Sequence, residues 1–317
     1  MQTNYNMSRA SMFESLNKII IPRAKLNDTL SNVLSARSEN IKLDNVLIIG
    51  DSGTGKSHTL AGIKTLWPAA VAELNMKFVN AKTAKFEITE TIRDLYISSK
   101  FNKAEAENGI ILIDNIEELA KSKAQLELIK LVRGTNYKIT GFEDSNLITD
   151  INTQKLLFIC TAGTRQLKTI KSSSKMTNMN KQVIAAEAAA AACYRQKLIE
   201  LGIVSELINL FAITIILDSD LKTIKQLVPV LTAAALAEYS KKNEFNVKII
   251  IDNKVLEHIV NVANLIRAGI WGLKIIIHDM LQIVTRQIIT ANLSNIVVIS
   301  YSVVDDTYVI TNTLAIT

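Results

Sequence analysis

Cysteine and histidine are scarce in this chain. Cys160 and Cys193 are the only two cysteines in 317 residues, too few for a disulfide framework. The three histidines, His58, His258 and His278, make no close cluster with them of the kind that binds zinc. Long apolar runs are missing too. Glu206 interrupts the stretch 204–217 and Glu187 interrupts the alanine-rich run from Ala185, so nothing reaches the roughly 18 apolar residues of a membrane span. Residues 1–16 mix Asn, Ser, Glu and Arg without an apolar h-region, which argues against a secretory signal and gives a cytoplasmic protein as the expectation. A dense basic block is absent as well. The net charge of +6 and pI near 9.1 come from scattered Lys and Arg, so a nucleic-acid partner is not expected.

What is present favours a globular enzyme-sized chain. Hydrophobic residues make up 48% and charged residues 21%, enough apolar side chain for a packed interior. The length predicts one large and one smaller domain. Short apolar runs at 46–49, 76–79, 110–113, 156–160 and 213–217 alternate with helical stretches at 57–67, 125–132 and 180–201, the pattern of a parallel sheet covered by helices. Beyond Leu217 the texture changes. Helices are expected at 220–227, ending near Pro229, then at 232–241, 253–265 and 271–290, before a closing strand pair at 296–301 and 307–311. The expected fold is therefore an α/β large domain with a parallel five-stranded sheet, residues 1–217, followed by a small, mainly helical α+β domain, residues 218–317. The segment 171–181, rich in Ser, Met, Asn and Lys, reads as a mobile loop.

One segment carries specific chemistry. The predicted strand Val46-Leu47-Ile48-Ile49 runs into Gly50-Asp51-Ser52-Gly53-Thr54-Gly55-Lys56-Ser57, the full G-x-x-x-x-G-K-[ST] pattern between a strand and a helix. Glycines let backbone N–H groups close around phosphates, and the helix that follows adds the positive end of its dipole. Lys56 is expected to reach the β/γ-phosphates of ATP, and Ser57 to offer its hydroxyl to Mg²⁺. Ile110-Ile111-Leu112-Ile113-Asp114 then supplies a strand ending in a carboxylate, the expected second magnesium-side group. Thr161, after Leu156 to Cys160, reads equally as a polar group between Asp114 and the γ-phosphate or as an ordinary loop threonine.

These residues resemble the AAA+ ATPases of the ClpX type, the clade that includes HslU, over nearly the whole chain. The resemblance also rests on the stretches from Gln125 to Thr135, Lys155 to Cys160, Leu198 to Leu207 and Gly269 to Lys274, and on Ile19-Ile20-Ile21-Pro22-Arg23. It implies ATP and Mg²⁺ as cofactors, a hexameric ring or a mixed ring with a related subunit, and protein substrates pulled through a central pore. It places Ile20 and Ile21 on the adenine side, the loop from Asp51 through Ser52, Gly53, Thr54, Gly55, Lys56 and Ser57 to His58 around the phosphates, and Lys274 as a small-domain cation. It assigns Asp114, Asn115 and Thr161 to the hydrolytic centre. Where the family polarises water with an acid, this chain has Asn115, which orients water and cannot take its proton. The ring-neighbour arginine finger falls at Leu210 and the small-domain arginine at Trp271, with Arg267 and Lys274 as neighbouring cations. Phe86 falls near the family's pore aromatic, but without the usual flanking glycines core packing is the favoured reading. The segment between Asn80 and Ile110 is too short for the inserted domain of HslU. The chain begins at the AAA+ region, so the family's N-terminal zinc domain is not expected. The sequence 164–181 has no Ile-Gly-Phe type tripeptide for a ClpP-type peptidase. Three functions follow: an ATP-driven protein unfoldase or remodelling chaperone with a degenerate hydrolytic site, a nucleotide-bound structural or regulatory ring subunit with little turnover, or a nucleic-acid remodelling ATPase, which the basic balance alone permits.

Overall fold

The computed structural model describes residues 7–20, 23–67, 70–139, 149–164, 182–217, 221–243, 247–266, 269–290, 295–302 and 307–313. The chain divides into two compact units, Met1–Ser52 with Lys56–Leu217, and Gly53–Gly55 with Asp218–Thr317.

The first unit runs α1 (Arg9–Ile19), α2 (Ala24–Ser38), β1 (Val46–Gly50), α3 (Lys56–Leu66), β2 (Val71–Asn75), α4 (Ala84–Ser98), α5 (Lys103–Glu107), β3 (Ile110–Asp114), α6 (Ala124–Arg133), β4 (Asn136–Ile139), β5 (Thr149–Asn152), β6 (Leu157–Gly163), α7 (Gln182–Leu201), α8 (Ser205–Asn209) and β7 (Ile213–Leu217). Five parallel strands form one sheet in the order β2-β3-β6-β1-β7. Every residue of β1, β3 and β6 is buried, which is why these segments read as continuous apolar runs. Their side chains part by the period of two. Leu47, Ile49, Ile111, Ile113, Phe158 and Cys160 enter one core with residues of α4 and α6, while Val46, Ile48, Ile110, Leu112 and Ile159 enter another with residues of α1, α2 and α3. Each such aliphatic side chain contributes about 1.5–3 kcal/mol, so both faces anchor the strand ends that carry the site.

The second strand is not where the apolar pattern put it. Residues 71–75 form β2, and Met76–Phe78 form a single 3₁₀ turn. Asn75 explains the stop, because its side-chain oxygen accepts the Lys77 backbone N–H at 3.1 Å and turns the chain. Phe78, counted as a strand residue from its hydrophobicity, is 76% exposed. The β4–β5 hairpin and the two N-terminal helices had no strong sequence signal. A corner beyond β3 is braced by Gln125 on α6: its side-chain nitrogen donates to the carbonyls of Leu119 and Gly202, both at 2.9 Å, and its oxygen accepts the Val204 N–H at 2.7 Å. Gly202 has φ +114, and a Cβ there would lie 2.5 Å from Lys121 Cγ, so only glycine fits.

The second unit contains α9 (Leu221–Asn243), β8 (Val247–Ile251), α10 (Asn253–Ile266), α11 (Gly269–Thr290), β9 (Asn295–Ser302) and β10 (Thr307–Thr313). The expected closing pair is present as antiparallel β9 and β10, and β8 joins β9 in parallel. The two helices expected around Pro229 are one helix, α9, with the proline inside it. Ile224, Leu227, Val228 and Thr232 are buried on both sides of that proline. Their packing offsets the lost hydrogen bond and ring clash, which cost about 3 kcal/mol. The segment 171–181 lies outside the described residues. No helix among them is long and apolar enough to cross a membrane.

Candidate nucleotide-binding site

The site begins where β1 gives out. Gly53 and Gly55 hold φ of 80 and 93, a backbone that a side chain would strain, and α3 starts directly afterwards at Lys56. The loop is shaped partly by this lysine. Its Nζ donates to the carbonyls of Gly50 at 2.8 Å and Asp51 at 2.9 Å, and the residue is only 8% exposed. Burial pushes the ammonium below the usual lysine range, and the carboxylates of Glu117, Asp114 and Asp51 pull it partly back. Across the loop, the Thr164 hydroxyl donates to the Asp51 carboxylate, and the Thr164 N–H donates to Gly50 O at 3.2 Å.

Strand order then decides the meaning of the acids. Because β6 lies between β3 and β1, Thr161 stands beside Asp114 and donates its hydroxyl to Oδ1. Ser57 donates its hydroxyl to the other oxygen, Oδ2, at 2.8 Å. A serine hydroxyl and a carboxylate meeting at the start of a helix form a hard-oxygen set that suits a divalent cation with a retained water shell, and the site fits Mg²⁺ on that ground. In a Mg²⁺-bound site, Ser57 and Asp114 would hold the ion, which would supply charge neutralisation at the phosphates.

Asn115 faces elsewhere. It sits in the left-handed region at φ 62 and ψ 52, its N–H donates to Thr161 Oγ1 at 3.1 Å, and its side-chain nitrogen donates to Asn75 Oδ1 at 3.3 Å. Asn75 lies on β2, so the Asn115 amide turns away from β1. The next turn, Ile116–Leu119, carries two acids that part company: Glu117 is buried at 7% exposure, while Glu118 is exposed. Glu117 Oε1 occupies the space that a Cβ on Gly163 would take, 2.3 Å away, and Gly163 pairs with Gly50 in the β6–β1 register. Burial raises the Glu117 pKa above the usual range, although the N–H of Gly163 and the nearby Lys56 charge act to lower it.

The other expected residues are dispersed. Thr54 is buried in the loop, whereas Ser52, Ser57 and His58 are exposed. Ile20 is buried against Gly62 of α3, where a Cβ would meet its Cγ2 at 2.1 Å, so its side chain is part of the core beside the site. Ile21 and Arg267 lie outside the described residues. Lys274 is exposed on α11 of the second unit, which also carries Trp271. Leu210 packs against the core and its carbonyl accepts the Asn45 side chain at 3.0 Å. Phe86 is not a core residue: it is 63% exposed in the first turn of α4, because Ala84 and Ile88 take the inward positions there.

Residues 12–137 match the family model of the bacterial DnaA ATPase domain. A mitochondrial ATP-dependent clpX-like chaperone of Saccharomyces cerevisiae is 32% identical over 111 residues, covering 30% of this chain and 21% of that protein. The ATP-dependent Clp protease ATP-binding subunit ClpX of Bacteroides thetaiotaomicron is 22% identical over 279 residues, covering 78% of this chain and 66% of that protein. The chain therefore spans less than two thirds of either relative. With the sheet order, these matches support an AAA+ ATPase domain, similar to ClpX at low identity.

Proposed function

We propose that an AAA+ ATPase domain in this chain binds ATP with Mg²⁺, hydrolyses it, and uses the cycle to unfold or remodel other proteins as one subunit of a ring. The observation that carries this reading is the meeting of Lys56, Ser57, Asp114 and Thr161 at the C-terminal ends of β1, β3 and β6, where ligands of open parallel sheets bind. One cation, two metal-side oxygens and one hydroxyl donor are the groups that phosphoryl transfer asks of a protein. Two exposed aromatics, Phe78 and Phe86, lie between β2 and the first turn of α4. Their exposure supports contact with a polypeptide. The names of the relatives, a chaperone and a Clp protease ATP-binding subunit, favour protein substrates and assembly with other chains; a ring, as a hexamer, is the expectation of the ClpX resemblance.

A second reading is favoured by Asn115, whose amide is engaged with Asn75 and supplies no base. On that reading the chain is a nucleotide-bound structural or regulatory ring subunit with negligible turnover. Steady-state ATP hydrolysis by the purified chain, with mass determination in the presence and absence of nucleotide, separates the two. Turnover together with nucleotide-stabilised rings supports the first. Tight nucleotide binding without turnover supports the second, and failure to bind nucleotide sinks both.

A further inference from the structure

Hydrolysis is accelerated by a group that orients the attacking water and receives its proton, and Asn115 cannot receive one. The described acids around the loop are nearly all committed. Asp114 accepts from Ser57 on one oxygen and from Thr161 on the other, and Asp51 accepts from Thr164. Glu118 points to solvent, and Glu73 on β2 is exposed near Lys64. Glu117 differs from all of them: it is buried, and its Oε2 has no hydrogen-bond partner among the described residues. A buried carboxylate oxygen left without a donor costs on the order of 1–3 kcal/mol, so a fold that keeps one invites a reason.

The placement supplies that reason. Gly163, against which Oε1 rests, is the β6 neighbour of Gly50, whose carbonyl accepts from the Lys56 ammonium. Of the carboxylates that act on Lys56, Glu117 has the largest effect. Glu117 thus stands on the β1 side of Asp114, while the side chain of Asn115 extends to the β2 side. A 3₁₀ turn following a left-handed residue exchanges the two positions: the residue next to Asp114 leaves the site and the one two places further enters it.

Resting on the ATPase reading above, we propose that Glu117 is the carboxylate that faces the γ-phosphate and activates the attacking water. In this step the water oxygen forms a bond to Pγ while the bond from Pγ to the β,γ-bridging oxygen breaks, leaving its electron pair on ADP. The water proton passes to Glu117 Oε2 and is then released to the phosphate product or solvent. Lys56 balances the charge that develops on the phosphate oxygens. Burial of Glu117, which raises its proton affinity, favours the transfer.

The test uses the full chain with Mg²⁺ and two probes, fluorescently labelled ATP and ADP, in equilibrium titrations, beside single-turnover hydrolysis of unlabelled ATP. Glu117→Gln is expected to slow hydrolysis by about 10²-fold or more. It is also expected to raise the affinity for ATP relative to ADP several-fold, because a negative charge facing the γ-phosphate is removed. Gly163→Ala keeps the carboxylate but displaces it, and is expected to slow hydrolysis by about tenfold or more, since misplacement of a reacting group is costly. Parental hydrolysis rates in both variants, or an unchanged ATP-to-ADP ratio in Glu117→Gln, overturn the proposal. If the parent binds ATP and never hydrolyses it, the ATPase reading falls by itself. The affinity ratio then still decides: a raised ratio keeps Glu117 opposite the γ-phosphate, and an unchanged ratio removes it.

Discussion

Asn115 offers the sharpest physical test of the site, because two separable costs meet at one residue. Its φ of 62 and ψ of 52 suit Asn and Gly but strain other residues by roughly 1–2 kcal/mol. Its side chain also donates to Asn75 at 3.3 Å, a part-buried neutral hydrogen bond of about 1 kcal/mol. Asn115→Ala incurs both costs, ~2 kcal/mol at the low end, and Asn115→Gly loses only the hydrogen bond. For a folding unit of this size, a loss of 1 kcal/mol lowers the melting midpoint by about 2–4 °C. Melting curves of the full chain followed by circular dichroism should therefore show Ala below Gly by about 2–4 °C, and Gly below the parent by a similar step. Asn115→Glu should melt with or below Ala, since it adds a carboxylate beside Asp114. It should not raise ATP turnover, because the residue projects toward β2. Equal midpoints for Ala and Gly would refute the backbone argument. A tenfold or greater rise in turnover for Asn115→Glu would show that position 115 reaches the attacking water after all, and would return the missing acid to that place.

Four further outcomes are expected. Lys56→Ala should weaken nucleotide binding at least tenfold in equilibrium titration, since it deletes the cation proposed to meet the phosphates. Asp114→Asn should flatten the Mg²⁺ titration of nucleotide binding, because an amide is a poorer partner for a hard cation's water shell. Thr161→Val removes the donor to Asp114 and the acceptor of the Asn115 N–H, and should lower stability by about 2–3 kcal/mol in urea unfolding. The sign for Glu117 runs with its raised pKa: its contribution to stability is fully present below the ordinary glutamate range and lost as pH rises through the higher folded value. Glu117→Gln does not titrate, so the melting difference, variant minus parent, should grow from about pH 4 toward pH 7. A pH-independent difference would show that burial does not hold the proton there.

The parts of the site that were legible are those whose chemistry is contiguous. Gly50 to Ser57 declares itself because strand end, loop and helix start are one unbroken segment, and Asp114 because the apolar run before it ends on a charge. Thr161 stayed ambiguous for a topological reason: its role depends on β6 lying between β3 and β1, which only the long-range register fixes. Glu117 was hidden by a backbone angle, since the sign of φ at Asn115 decides which of the following residues turns inward. Surface and core aromatics are equally hydrophobic in sequence. Phe86 reads as core in the sequence because the flanking glycines are missing and aromatics are mostly buried, whereas its outward position follows from the phase of α4. The same kind of error shifted β2, where Met76 to Val79 is more apolar than the strand Val71–Asn75 whose Glu73 is exposed.

The brace at Gln125 has a mechanical meaning. One amide saturates three backbone groups belonging to the end of the Glu117 turn, the end of α7 and the start of α8, and the Lys121 N–H adds a fourth tie to Gly202 at 2.9 Å. A sliding displacement between these segments would have to break several short bonds at once, whereas carrying them together breaks none. They form a single stiff lever with the carboxylate at one end and α8 at the other. Their amides should exchange with solvent as one cooperative group, and a load applied to α8 would be felt at Glu117 as rotation rather than absorbed as local slack.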